Sequence, residues 1–233
     1  MAIELACLNK GASGAQIGWC MSKDLCPEKA LIFRIIHKAN LGWVLDNGLY
    51  CQNLRVLDPN YVAIGNPDLI DKRRTRAVDV DPYGTLGDYI PFYFTPFSMM
   101  MLNIKTGYNG IVRRSNTEIA ILVSSLLFLQ QKNVRFLFTH RHAYPIGARF
   151  FSSLADLSGI DWNILQHRDF SRDNDDIDKT TRYQAEALVY RSMPVDALLG
   201  IVCYNDVEAE SVRGLTVQRG LRLRVIAKPG WYF

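Results

Sequence analysis

The chain has 233 residues, with 27 Lys and Arg against 23 Asp and Glu for a formal charge of +4, and 48% of its residues are apolar. That balance is too apolar and too weakly charged for a disordered chain, and 9 Pro and 16 Gly show no collagen-like or low-complexity bias. The length allows a buried core in one large domain or two small ones, and no apolar run approaches the roughly 20 residues of a membrane-spanning helix.

Residues 1–28 carry Gly11, Gly14 and Gly18 among small side chains without a period, and no Gly-Lys-Ser/Thr follows them, so they are not a P-loop. They read as an N-terminal arm, and residues 29–233 as the domain proper. Met1 to Cys26 lacks a basic segment followed by an apolar run, so no secretory signal is read and the expected compartment is the cytoplasm. The cysteines, Cys7, Cys20, Cys26, Cys51 and Cys203, are odd in number and never spaced CxxC, which fits reduced thiols rather than a disulfide framework or a zinc site.

Leu31 to Ile36 is a β-rich run ending at His37, after which Asn40 stands where a helix cap belongs, ahead of Leu41, Val44 and Leu45 at helical spacing. Gly48 supplies the stop. Residues 50–88 have no sustained period and many turn-formers, and they hold the basic cluster Lys72, Arg73, Arg74 and Arg76; so long an aperiodic stretch points to function. Tyr89 to Thr95 is an aromatic strand, and Ser98 with Met99 to Met101 looks like the start of a packed helix. Glu118 to Ser124 and Arg135 to Thr139 are strands with a short helix, Leu126 to Gln131, between them. Phe150, Phe151, Leu154 and Leu157 predict one helical face over Arg149 to Leu157. Gln184 to Tyr190 and Leu199 to Tyr204 are strands; a helix capped at Asp206 and stopped at Gly220 follows, and Arg222 to Lys228 is the last strand. The elements describe an α+β domain of six or seven mostly antiparallel strands with interspersed helices.

The charge is unevenly placed. Basic residues gather at Lys72 to Arg76, at Arg113 and Arg114, from Arg141 to Arg149 and from Arg213 to Lys228, whereas Asp169 to Asp178 is acidic. Basic clusters beside aromatic segments suit single-stranded nucleic acid or a dinucleotide; solvated faces are the plain alternative. On a strand, Gln184 and Glu186 share a face about 7 Å apart, so the pair either binds one polar substrate or forms the wet face of an edge strand. His37 either bonds a ribose or carboxamide or satisfies a turn. His140 and His142 lack the partners of a metal site. The chain has no GxSxG, HExxH, GxGxxG after a strand or paired DxD, which argues against hydrolases, P-loop enzymes and Rossmann dehydrogenases.

Four segments in order, LIFRIIHKANLGWVLDNGL (Leu31 to Leu49), DYIPFYFTPFSMM (Asp88 to Met100), FLFTHRHAY (Phe136 to Tyr144) and RYQAEALVY (Arg182 to Tyr190), with a closing GWYF, resemble the DarT family of DNA ADP-ribosyltransferase toxins. The resemblance runs from about Pro27 to Phe233. It implies an ADP-ribosyltransferase-like fold with a split, mostly antiparallel central β-sheet and flanking helices, and transfer of ADP-ribose from NAD, used as co-substrate without a metal, to a base in single-stranded DNA, thymidine in the best-known members. It implies Glu186 as the catalytic glutamate and Arg74 as the assisting arginine, with Arg73 the competitor one residue away. NAD contacts are implied at His37, Asn40, Gly48, Arg74, Tyr93 and Gln184, and DNA contacts at Arg73, Arg76, His142, Tyr144 and Arg149. His140 stands where the family's segment usually has Asp. The resemblance further implies a monomeric bacterial cytoplasmic toxin with a macrodomain antitoxin, DarG-like, as partner, and no membrane. An acceptor of RNA or protein, or a binding module without catalysis, is the alternative.

Overall fold

The computed structural model describes residues 24–233. Most of the N-terminal arm, with Cys7, Cys20 and its three glycines, lies outside the described residues. Among the described residues ten strands form: β1 (Leu31–His37), β2 (Leu49–Tyr50), β3 (Tyr89–Tyr93), β4 (Ile119–Ser125), β5 (Phe136–Thr139), β6 (Phe150–Phe151), β7 (Glu186–Tyr190), β8 (Ser192–Met193), β9 (Gly200–Cys203) and β10 (Arg224–Ala227). Eight of them make one sheet in the order β10-β9-β4-β1-β3-β7-β5-β6, while β2 and β8 pair separately. Within the large sheet only β9 and β10 run parallel.

The sheet has two halves joined by very little. β1 pairs with β4 at all seven residues, from Leu31↔Ser125 to His37↔Ile119, and β3 pairs with β7 at five, from Tyr89↔Tyr190 to Tyr93↔Glu186. Between the halves β1 meets β3 at one position, Phe33↔Tyr93. The expected split therefore lies between β1 and β3, and Arg34 reaches across it to donate to the Pro91 carbonyl at 2.8 Å. Covered on both faces, β4 is buried at every residue.

Among the described residues seven helices flank the sheet: α1 (Leu41–Asn47), α2 (Pro67–Arg73), α3 (Met99–Thr106), α4 (Leu126–Gln131), α5 (Trp162–His167), α6 (Lys179–Arg182) and α7 (Asp206–Gln218). Their starts follow from local sequence. The side chains of Asn66, Ser98, Ser125, Asp161 and Asn205 each accept an N–H from the first turn of α2, α3, α4, α5 and α7, in that order. The cap of α7 is thus Asn205, one residue before the expected Asp206. The sequence signal Asn66-Pro67-Asp68, a cap followed by proline at the first helical position and an acid in the first turn, starts α2 inside the stretch read as aperiodic.

Two expectations are corrected. The helix over 149–157 is absent: Phe150 and Phe151 form β6 against Thr139 and Phe138, Phe151 stacks on Phe138, and a 3₁₀ turn capped by Ser153 follows. An aromatic pair beside an open strand edge gains more from pairing than a nine-residue helix gains from its short apolar face. Gln184 is not on the strand of Glu186, because β7 begins at Glu186 and Gln184 sits in the turn after α6, donating to the Thr180 carbonyl. The two polar side chains do not share a strand face.

Gly48 ends α1 at φ 83°, ψ −164°, a conformation open to glycine, and a Cβ there would lie 2.6 Å from the Met193 carbonyl oxygen of β8. Gly48→Ala should lower stability by about 2 kcal/mol or more, a fall in Tm of roughly 4–8 °C by calorimetry. An unchanged Tm would mean that β2 and β8 separate at little cost.

Candidate active site

Glu186 opens β7 at the split and is 1% exposed. A buried carboxylate needs donors, and two parts of the chain supply them. Arg73, the last residue of α2, donates from Nη1 to Oε2 at 2.8 Å, and the Ala143 N–H donates to Oε1 at 3.0 Å. The Glu186 N–H is itself held by Thr139 Oγ1 at 3.2 Å. His142 Nε2 stands 3.6 Å from Oε1, and its backbone N–H is fixed by the Thr181 carbonyl. Three segments, 67–73, 139–143 and the start of β7, thus converge on one carboxylate.

Around this group is a cavity of about 150 Å³ lined by Arg34, Tyr93, Met100, His142 and Glu186 among others. Arg34, Tyr61, Arg73 and Pro91 also line a second, more apolar cavity of about 340 Å³ that extends to Trp43, Val44, Tyr50, Cys51 and Leu57. Asn40 holds the far wall: its amide donates to the Val62 carbonyl and accepts the Val62 N–H, both at 2.9 Å, which fastens the 50–66 segment over the end of β1. Burial pushes the Tyr93 hydroxyl up to about 12, with Glu186 adding to the rise and the guanidinium groups of Arg73 and Arg34 opposing it. Among the described residues no three His, Cys, Asp or Glu side chains are grouped as a metal site would need.

The expected site residues fall into two sets. Glu186, Arg73, His142 and Tyr93 meet in the first cavity, and Asn40 lines the second. Arg74 does not reach Glu186, and this corrects the choice between the two arginines: successive helical residues point about 100° apart, so Arg73 faces β7 while the 47%-exposed Arg74 side chain faces Asp71 at 3.9 Å. Gly48, His37 and Gln184 line neither cavity. His37 accepts the Ala39 N–H at Nδ1, and its Nε2 faces Glu118 at 3.5 Å, beside Arg114. Glu118 is itself held down to about 2, first by the Ser115 N–H. Arg76 donates from Nε to the Tyr144 carbonyl, tying 72–76 to the 141–149 loop, on which Arg149 is exposed. The basic residues of the C-terminal quarter do not serve this cleft. β10 lies three strands from β1, about 14 Å away across the sheet, and Arg213 and Arg219 are engaged by Glu210 and Asp46. Arg34 was passed over, although a single cation inside the apolar run LIFRIIH was the signal for it.

A two-halved sheet splayed over a cleft, with a buried glutamate and arginine at its floor, is the arrangement of the ADP-ribosyltransferase class of folds. Residues 33–233 match the family model described as ssDNA thymidine ADP-ribosyltransferase, DarT, and the chain belongs to that family. It is 50% identical over 212 residues to the DNA ADP-ribosyl transferase of Escherichia coli O127:H6, covering 91% of this chain and 97% of that one. It is 33% identical over 218 residues to the DNA ADP-ribosyl transferase of Thermus sp. strain 2.9, covering 91% and 100%. Among solved structures, Thermus sp. 2.9 DarT in complex with ADP-ribosylated ssDNA superposes with a TM-score of 0.81 at 29% identity, and the same protein in complex with NAD+ with 0.78 at 30%. These cover 89% of this chain and 98% and 99% of theirs. Thermosipho africanus DarTG shares the fold at a TM-score of 0.67 and 15% identity over 87% of this chain and 51% of its own.

Burial pushes the His142 imidazole below its ordinary 6.5, Glu186 pulling it up and Arg73 pushing it further down. His140 moves the same way, first by burial and then by Arg141. A histidine that resists protonation when folded gives stability that is complete above the unfolded value and is lost as pH falls through about 6.5. Urea midpoints should decline from pH 7.5 to 5, and His142→Asn should flatten the profile. Parallel profiles for the two proteins would remove His142 as the source.

Proposed function

We propose that this chain transfers ADP-ribose from NAD to the thymidine base of single-stranded DNA, with release of nicotinamide. The observation that carries the reading is Glu186, a carboxylate buried at the split, held by Arg73 and the Ala143 N–H and facing a cavity, in a chain of the DarT family. The donor fits this cleft on the chemistry present. The first cavity offers the carboxylate for a ribose hydroxyl, and the buried Nη2 of Arg73 has no protein partner. The second offers aromatic walls, Trp43 and Tyr50, for a flat base.

NAD carries its own leaving group, a cationic nicotinamide that departs neutral, so the protein need not supply an acid at that bond. Glu186 stabilises the positive charge that develops on the ribose as the bond breaks. The acceptor nitrogen of thymine must give up a proton, and two groups at the site can take it: Glu186 and the imidazole of His142, kept neutral by burial. Arg73, which lines the first cavity beside Glu186, then suits the negative charge left on the base. Bases of a single strand settle by stacking, at about 1–3 kcal/mol each, beside Tyr144 and the basic residues Arg76 and Arg149. His142, Tyr144, Arg76 and Arg149 thus form the DNA side of the proposal, and Asn40 and Tyr93 the NAD side. The proposed partner is a macrodomain antitoxin, DarG-like, and the proposed compartment the bacterial cytoplasm; among the described residues no helix is long and apolar enough to cross a membrane.

Glu186→Gln should reduce labelling of a thymidine-containing oligonucleotide by labelled NAD about 100-fold or more. Offering ssDNA, RNA and protein side by side tests the acceptor, and label on protein alone would overturn it. Arg73→Lys should cost a similar factor, whereas Arg74→Ala, at an exposed surface pair, should stay within about three-fold of wild type. A larger loss at Arg74 than at Arg73 would reverse the assignment.

A further inference from the structure

Glu186 and the turn that serves its carboxylate belong to separate parts of the chain, and a single hydroxyl joins them. Thr139 ends β5 and is 0% exposed, so its Oγ1 has to find partners within the protein. It accepts the Glu186 N–H at 3.2 Å and lies 2.6 Å from the Arg141 carbonyl, to which it donates its proton. The direction is forced, because a hydroxyl has one proton, an N–H only donates and a carbonyl only accepts. The strand register shows what this bond replaces. β5 and β7 pair at Phe136↔Val189, Leu137↔Leu188 and Phe138↔Ala187, and the pairing stops there. One position further on, the Thr139 side chain keeps hold of β7 while the main chain turns away through residues 140–143.

We propose that Thr139 is a positioning residue for Glu186: its hydroxyl ties the 141–143 turn to the backbone of the glutamate and so sets the Ala143 N–H at 3.0 Å from Oε1. The same turn carries His142, whose Nε2 stands 3.6 Å from Oε1, so one hydroxyl fixes the carboxylate against both groups. Two other bonds hold the turn from outside. Asp178 takes the Arg141 guanidinium at 3.0 Å, and the Thr181 carbonyl takes the His142 N–H at 2.9 Å. Both fasten it to α6 and the residue before it, and neither touches Glu186. Without the hydroxyl the turn stays attached to α6 but is free to move against the carboxylate, and a shift of about 1 Å takes the Ala143 N–H out of hydrogen-bond range. Glu186 acts on charge that develops only as the nicotinamide bond breaks, so its misplacement weakens the transition state more than the bound donor. The kinetic consequence rests on the transfer reaction proposed above; the geometry does not.

The test compares wild type with Thr139→Val, nearly the same shape without the hydroxyl, Thr139→Ser, which keeps it, and Asp178→Ala. Kinetics with labelled NAD and a thymidine oligonucleotide are set beside amide hydrogen exchange of the full chain by NMR, with amides of β1 and β4 as the internal reference. Thr139→Val should lower kcat about ten-fold with KM for NAD within about two-fold, and should speed exchange at Ala143 about ten-fold. Thr139→Ser should return kcat to within about three-fold of wild type. Asp178→Ala, which opens an exposed pair, should stay within about two-fold. Thr139→Ala differs from Thr139→Ser by the hydroxyl alone and carries the same comparison if the valine variant does not fold. A valine variant with wild-type kcat, a serine variant as slow as the valine one, or unchanged exchange at Ala143 overturns the assignment. A wild-type chain that labels no acceptor overturns the proposed reaction, and exchange at Ala143 then decides the role of Thr139 by itself.

Discussion

A carboxylate out of water is the constraint on which the rest of this molecule depends. Left alone, Glu186 would cost several kcal/mol in so buried a position, and the chain meets that cost with one guanidinium and one backbone N–H. Those two bonds fix more than a side chain. Arg73 draws the end of α2, and with it the 60s segment, against the sheet, and Ala143 draws in the loop after β5. Removing either leaves a charge unpaired, so the walls of the cleft and its chemistry stand or fall together.

The second constraint is the weak seam. Antiparallel pairing is continuous through each half-sheet, seven residues between β1 and β4 and five between β3 and β7, and it narrows to Phe33↔Tyr93 where the halves meet. A fully paired sheet would put ladder hydrogen bonds where the cleft is. The seam gives up those bonds and gains a place where two polar side chains, the half-buried Arg34 and the buried Glu186, line a void. Catalytic geometry is therefore bought with missing backbone pairing at the centre of the fold, flanked by strands that are among the best packed.

Much of this was legible in the residues. The apolar runs at 31–36, 119–124 and 199–204 are strands in the structure because such runs have nowhere else to go than a sheet covered on both faces. Glu186 was legible because four separated segments resembled one family. What the sequence hid is decided by geometry between segments. Whether Arg73 or Arg74 meets the glutamate depends on the phase of a helix two turns long, which starts at Asn66-Pro67 inside the stretch read as aperiodic. The pairing of Phe150 and Phe151 depends on an open edge of β5 about ten residues earlier, which periodicity does not see. Gln184 was placed beside Glu186 by assuming that the strand began two residues early. The basic C-terminal quarter looked like part of the cleft until the strand order put β10 at the far edge.

The acidic segment before β7 is best understood as a counterweight. Asp169 and Asp173 hold Lys179, Asp176 takes Arg182 through two bonds with Asp161 on its Nε, and Asp178 takes Arg141. Two of these cations sit on α6 and the third, Arg141, on the segment after β5. With that charge answered from within, Lys72 and Arg149 remain exposed, on segments that Arg76 ties together. The acidic run therefore adds no free negative charge beside the site: most of its aspartates are spent on cations of the same chain, and the segment behaves as a set of internal clasps on α6 and on the loop after β5.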